Sequence, residues 1–138
     1  MDTPGPDYVA LGSASEVLRR YAAGERYFGE MELEGGPNFH GACLAGAIFD
    51  SSYMIDSDFR DADLRHASFR RVYVKCSDFR GADLRGSSFV DAGLESTRYE
   101  GAKYDGSEFV GPHCYGVVGP GDGFPDYGER PGSGSEAG

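Results

Sequence analysis

The side chains that could do chemistry are few and scattered. The 138 residues hold three histidines, His40, His66 and His113, and three cysteines, Cys43, Cys76 and Cys114. The stretch "HGAC", His40–Cys43, has the spacing of a loose metal clip. A structural zinc site needs four ligands, and no second pair accompanies this one. No nucleophile, base and orienting group stand together at a working spacing, and no glycine-rich phosphate loop is present. These residues predict no metal, no cofactor and no enzyme. An odd number of distant cysteines predicts free thiols in a reducing compartment rather than a disulfide framework. The opening "MDTPGPDYVALGSAS" lacks the basic start and apolar run of a signal peptide. No segment approaches the roughly 18 apolar residues of a membrane span. The expectation is a cytoplasmic protein that does not enter a membrane.

The remaining polar chemistry lies in Asp and Arg residues that recur at fixed intervals, as in "SDFRDADLRHASFR", Ser57–Arg70. An element must space them, and the apolar residues between them show which. Large side chains recur every fifth position from Phe39 to Phe109, through Leu44, Phe49, Met54, Phe59, Leu64, Phe69, Val74, Phe79, Leu84, Phe89, Leu94, Tyr99 and Tyr104. Helices repeat near 3.6 and strands near 2, so a period of five fits neither alone. Two residues before each centre stands a small residue, with Pro37 and Val72 as exceptions. Residues two apart on extended chain point the same way, so both face one interior.

A longer period contains the short one. Ser57–Cys76 and Ser77–Ser96 are identical at half of their positions. Sorted by twenty, the centres form columns: Phe39, Phe59, Phe79 and Tyr99; Leu44, Leu64, Leu84 and Tyr104; Phe49, Phe69, Phe89 and Phe109; Met54, Val74 and Leu94, which Cys114 would extend. A chain that turns a corner every five residues makes a coil of four sides. Each centre then stacks on its own kind one coil away, at the sheet spacing of roughly 4.8 Å.

In these features the sequence resembles the pentapeptide-repeat family, whose pattern is approximately A(D/N)LXX. "ADLRH" at Ala62–His66 and "ADLRG" at Ala82–Gly86 match it, and "SDFRD", "SDFRG" and "SSFVD" are close variants. The resemblance runs from about Phe28 to Gly111. It departs from consensus at "PNFHG", "AIFDS" and "VYVKC". It implies an all-β solenoid, a right-handed quadrilateral β-helix of about four coils.

The flanks predict three further segments around a repeat body at 37–116. Residues 1–12 read as a flexible N-terminus. Residues 13–36 read as a capping helix and first strand. Ser13 and Glu16 have capping-box spacing, Val17, Leu18 and Tyr21 share a helical face, and Gly24 is a stop, which gives a short α-helix from about Ala14 to Ala23. An open β-helix end exposes strand edges and needs a lid, and this helix is the candidate. Phe28 and Leu33 continue the five-residue spacing, and Gly35–Gly36 shifts the register by one residue before Phe39. Residues 117–138 are Gly/Pro-rich and read as a disordered tail. An exposed coil end would also offer a route to a homodimer.

Outward positions separate two kinds of surface. On the first side Asp58 and Arg60 flank a centre, followed by Asp78 and Arg80, then Arg98 and Glu100. On the second stand Asp63 and Arg65, Asp83 and Arg85, then Lys103 and Asp105. Opposite charges meet within strands, and Asp78–Arg98 and Asp83–Lys103 are expected to meet between coils. The third and fourth sides instead present Ile48, Tyr53, Ile55 and Tyr73. Outward aromatics suggest a face for a protein partner of unknown identity, unless the termini cover it. The resemblance also implies an alternative, because some relatives imitate duplex DNA and protect DNA gyrase. Asp58, Asp63, Asp78 and Asp83 would then form the acidic face. The formal net charge of -10 invites that reading and argues against direct nucleic-acid binding. Its distribution weakens the mimic, since residues 37–111 carry 12 acidic and 9 basic groups while the flanks hold most of the excess. The first reading is a non-catalytic interaction scaffold.

Overall fold

The structure, a computed structural model, describes residues 6–111 and Gly119. The expectations for residues 1–5, for His113 and Cys114, for the last coil end and for the tail from 120 onward lie outside the described residues.

The five-residue period is a turn repeated at every corner. The residue two after each centre has a positive φ, between 57° and 76°, at all corners from Gly41 to Gly111. The N–H of the next residue returns to the carbonyl of the centre, as in Ala42 to Phe39 (3.0 Å) and Ala82 to Phe79 (3.0 Å). Positive φ at the third turn residue alone is the type II pattern. Glycine fills that corner at Gly81 and Gly101 without penalty, whereas Asp61, His66, Arg71 and Cys76 bear the left-handed conformation with a side chain.

Between corners the chain is extended and pairs in parallel with the next coil. Bridges join Asp58 to Asp78, Asp63 to Asp83, Ser68 to Ser88 and Tyr73 to Gly93, each twenty residues apart. Three backbone bonds recur per side, for example Phe59 N–H to the Asp78 carbonyl (2.8 Å), Asp61 N–H to Arg80 (3.0 Å) and Asp78 N–H to Ser57 (3.0 Å). The backbone's polar groups are thereby satisfied coil to coil.

Inside, the centres form the expected columns and are fully buried from Phe28 to Tyr99. Phe59 and Phe79 stack with centroids 5.0 Å apart, and Phe69 and Phe89 at 4.8 Å. The two phenylalanine columns meet edge to face across the core, Phe59 to Phe69 at 5.6 Å and 86°. Offset stacking and edge contacts are both favourable ring geometries. Val72 is buried in its small-residue slot, and its turn bond to Phe69, 3.3 Å, matches that of Ala92 to Phe89 one coil on.

The register shift falls at Gly35–Gly36. Tyr27 pairs with Ile48 and Glu32 with Tyr53, both at an offset of 21, whereas Asn38 pairs with Asp58 at 20. Gly35 and Gly36 have φ of 80° and 71° and absorb the additional residue. Phe28 therefore sits below Phe49, with centroids at 6.2 Å.

Helix α1 spans Ala14–Ala22, with Ala23 as its cap and Gly24 beyond it at φ 104°. It ends one residue earlier than the sequence suggests. The Ser13 side chain accepts from the Glu16 N–H at 3.1 Å. Glu16 does not complete the box, because its carboxylate turns to Arg19 and Arg20. Val17 is buried in the common core, with Leu11, Leu18 and Tyr21 against it. Tyr21 donates to the Ala45 carbonyl at 2.7 Å. No helix among the described residues is long and apolar enough to cross a membrane.

Candidate protein-contact face

The fourth side carries the outward tyrosines. Tyr53 and Tyr73 are adjacent rungs of one ladder, Glu32–Tyr53–Tyr73–Gly93. Their rings stack with centroids 5.6 Å apart at 23°. Tyr53 stays 40% and Tyr73 38% exposed, against complete burial of the inward Met54 and Val74 beside them. The Tyr73 ring leans onto buried Gly93, where a Cβ would stand 2.3 Å from its Cδ1. The reading from sequence missed this seat. Its signal was a glycine in an outward strand position of that ladder.

Beside Tyr53 a cleft of about 490 Å³ opens, lined by Glu34, Gly35, Gly36, Tyr53, Ile55 and Asp56. The register shift makes this notch, since Gly35 and Gly36 place a second corner residue under Asp56. The structure therefore brings Tyr53, Tyr73 and Ile55 to one side. Ile48 lies around the corner on the third side, half-buried between Tyr27 and Ser68 in its ladder. The N-terminal segment also reaches the third side. Tyr8 meets Tyr27 edge-on at 5.1 Å and donates to the Gly29 carbonyl at 2.8 Å. Burial pushes the Tyr8 phenol up to about 12, so it remains a neutral donor.

The first and second sides are electrostatically closed. Arg60 grips Asp58 with two bonds of 3.0 and 2.8 Å, Arg65 grips Asp63 at 2.8 and 2.7 Å, and Arg85 grips Asp83 at 2.8 and 2.6 Å. Arg80 holds Asp78 likewise, at 2.9 and 2.6 Å. The arginine's own backbone N–H bonds the same carboxylate in each case. The bound guanidinium holds the Asp58, Asp63 and Asp83 carboxyls below the usual range. At Asp78 burial opposes ionisation most strongly, but the bonds from Arg80 together outweigh it and the carboxyl is again lowered.

The expected contacts between coils are corrected here. Asp78 and Arg98 are bridged through their backbones, but Arg98 turns its side chain along its own strand to Glu100 at 2.6 Å. The planar fork and the backbone N–H both favour the partner two residues away. Lys103 reaches Asp83 only through space. Among the described residues the Asp–Arg ion pair between coils is Arg65 to Asp83, at a loose 3.9 Å.

The remaining chemical candidates stay apart. His40 lies 3.3 Å from Asp61, His66 sits at a corner over Gly86, and Cys43 and Cys76 are exposed free thiols. Among the described residues no group of three or more His, Cys, Asp or Glu could hold a metal. Hydroxyls that sequence reasoning treated merely as small do structural work. Ser57 donates to the Met54 carbonyl at 2.6 Å and Ser87 to Leu84 at 2.6 Å, while the Ser77 hydroxyl accepts from the Ser57 N–H at 2.9 Å.

The family model for pentapeptide repeats matches residues 38–71 with 8 copies. Residues 38–71 thus carry the pentapeptide-repeat pattern. Two solved pentapeptide-repeat structures share this chain's fold. Rfr23 from the cyanobacterium Cyanothece 51142 superposes with a TM-score of 0.64 at 16% identity, over 67% of this chain and 63% of that one. HetL, a pentapeptide-repeat protein involved in heterocyst differentiation regulation in Nostoc sp. strain PCC 7120, gives 0.54 at 22%, over 71% and 42%. This chain thus spans less than two thirds of either structure. QnrB1, a plasmid-mediated fluoroquinolone resistance protein, gives 0.38 at 19%, over 67% and 64%. No curated protein matches the sequence. The likeness to pentapeptide-repeat structures implies that the four-sided coil is a right-handed quadrilateral β-helix.

Proposed function

We propose that this protein is a non-catalytic pentapeptide-repeat scaffold that offers its fourth side to a protein partner, with α1 closing the N-terminal end of the coil. One observation carries the reading. Tyr53 and Tyr73 remain exposed and stacked on a rigid side, next to a cleft, although the core has no need of them. Rigid aromatics are the side chains that most often anchor interfaces. Proteins of this family are generally structural or interaction proteins, which agrees. A reducing cytoplasm suits the exposed thiols of Cys43 and Cys76.

The gyrase alternative has less support. A DNA mimic needs unopposed acids along the rod, yet Asp58, Asp63, Asp78 and Asp83 each hold an arginine. Two variants separate the readings: Tyr53→Ala with Tyr73→Ala, and the four aspartates changed to asparagine. Proteins captured from the native host would be compared by mass spectrometry, and both variants assayed for effects on gyrase supercoiling. Partners lost only with the tyrosine variant are expected. Inhibition of supercoiling that the asparagine variant abolishes would instead select the mimic.

A further inference from the structure

The carboxylates of this protein are unevenly satisfied. Asp58, Asp63, Asp78 and Asp83 each have an arginine, whereas Glu30, Glu32, Glu34 and Asp56 are exposed and belong to none of the ion pairs among the described residues. They gather at the lower end of the fourth side. Glu32 stands one rung below Tyr53 in the ladder, Glu34 and Asp56 flank the cleft, and Glu30 turns the preceding corner. Opposite them the side offers one lysine, Lys75, with Arg71 at the corner above. The backbone adds a further feature. Met31 and Leu33 direct their groups up to Tyr53, so the N–H and C=O of Glu32 between them face the other way, and no described residue pairs with them. The side thus ends in an open strand edge beneath two stacked rings.

We propose that the fourth side binds an extended basic segment of a partner protein, with one arginine or lysine entering the cleft beside Tyr53 between Glu34 and Asp56. The inference rests on the interaction-face reading and names the partner's chemistry. A guanidinium fits the site twice over, because it stacks on an aromatic face and pairs with carboxylates at its edge. The cleft's volume of about 490 Å³ has room for such a side chain. Unpaired acids at the rim disfavour acidic segments and steer basic ones. The free edge at Glu32 suits extended chain, which adds backbone bonds to side-chain contacts.

The test uses the full chain and a fluorescein-labelled peptide of alternating arginine and glycine, read by fluorescence polarisation. The same peptide with glutamine for arginine is the reference. Two variants of equal charge change are compared. One carries Glu30→Gln, Glu32→Gln, Glu34→Gln and Asp56→Asn. The other carries Asp58→Asn, Asp63→Asn, Asp78→Asn and Asp83→Asn. Asparagine is well tolerated at the positive φ of Asp56, and circular dichroism would verify that both variants fold. The fourth-side variant should weaken arginine-peptide binding by roughly tenfold or more, and the paired-side variant by less than about twofold. Tyr53→Ala should weaken it as well, and added salt should do so progressively. Equal losses in both acidic variants would mean that overall charge alone attracts the peptide, which overturns the inference, as would equal binding of the glutamine peptide. If native partners depend on Tyr53 and Tyr73 while the arginine peptide does not bind, the interaction face stands and the basic segment falls.

Discussion

Tyr73 rests on Gly93, its partner one coil above, so closely that a Cβ at position 93 would lie 2.3 Å from the Tyr73 ring. Gly93 has no positive φ, so its missing side chain is a matter of space rather than of backbone. Gly93→Ala should push the ring out of its stack with Tyr53. The near-ultraviolet circular dichroism of the tyrosines should change, and stability should drop by roughly 1–3 kcal/mol. In a Tyr73→Ala background the same change should cost almost nothing, and an undiminished cost there would contradict the contact.

Phe69 is a fully buried rung between Phe49 and Phe89, at 5.1 and 4.8 Å, and it touches both Phe59 and Phe79 edge-on. Removing its ring leaves a cavity that neighbouring coils cannot close without losing register. Phe69→Ala is expected to cost on the order of 3–5 kcal/mol in chemical denaturation. A loss below about 1 kcal/mol would be incompatible with the stacked columns.

Deleting residues 1–24 removes α1 with Val17 and Tyr21, and bares the first coil where they pack. Such exposed strand edges pair with one another. Light scattering should then report association, and an unchanged monodisperse species would argue against the helix as a lid.

The paired aspartates make stability depend on acid. Their folded pKa values lie below the ordinary carboxylate value of about 3.9, so the unfolded chain binds protons first as pH falls. The stabilisation is therefore complete above that value and is lost as pH drops through the lower folded values. Melting temperatures of the wild type should be level near neutrality and fall below about pH 4. The four-asparagine variant should start lower and fall less steeply, converging with the wild type in acid. Parallel curves would show that the pairs contribute nothing.

The corners allow a test in both directions. Cys76 is an exposed corner at φ 63°, and Cys76→Gly should stabilise by up to roughly 1 kcal/mol by relieving the left-handed cost. Gly101, at φ 76° with only Gly81 backbone nearby, should lose roughly 1–2 kcal/mol on mutation to valine. Thermal melts of the two variants should shift in opposite senses.

Residue size and period carried most of the architecture into view. The columns, the corner every five residues, the slip at Gly35–Gly36 and the outward placing of Tyr53 and Tyr73 all follow from spacing, because a coil repeats its geometry every twenty residues. What spacing hides is the direction of a polar side chain. Arg98 had an aspartate across the coil and a glutamate along its strand, and both satisfy a charge pattern. Only the reach of the fork chose Glu100. Glu16 likewise had two partners in range and took the arginines. The cleft beside Tyr53 was equally out of reach, since it arises from the shape of two glycine corners and from no residue that advertises binding.

Each coil is joined by backbone bonds only to the coil above and the coil below, with bridges at a constant offset of twenty residues through most of the rod. Under tension between its ends such a rod should unwind as thread leaves a spool. Every coil released adds about 70 Å of contour, at roughly 3.5 Å per residue, less the roughly 4.8 Å it occupied in the stack. The spool's resistance is then set by one coil at a time and not by its length. Adding coils would lengthen the reach of the protein without raising the force at which it begins to yield.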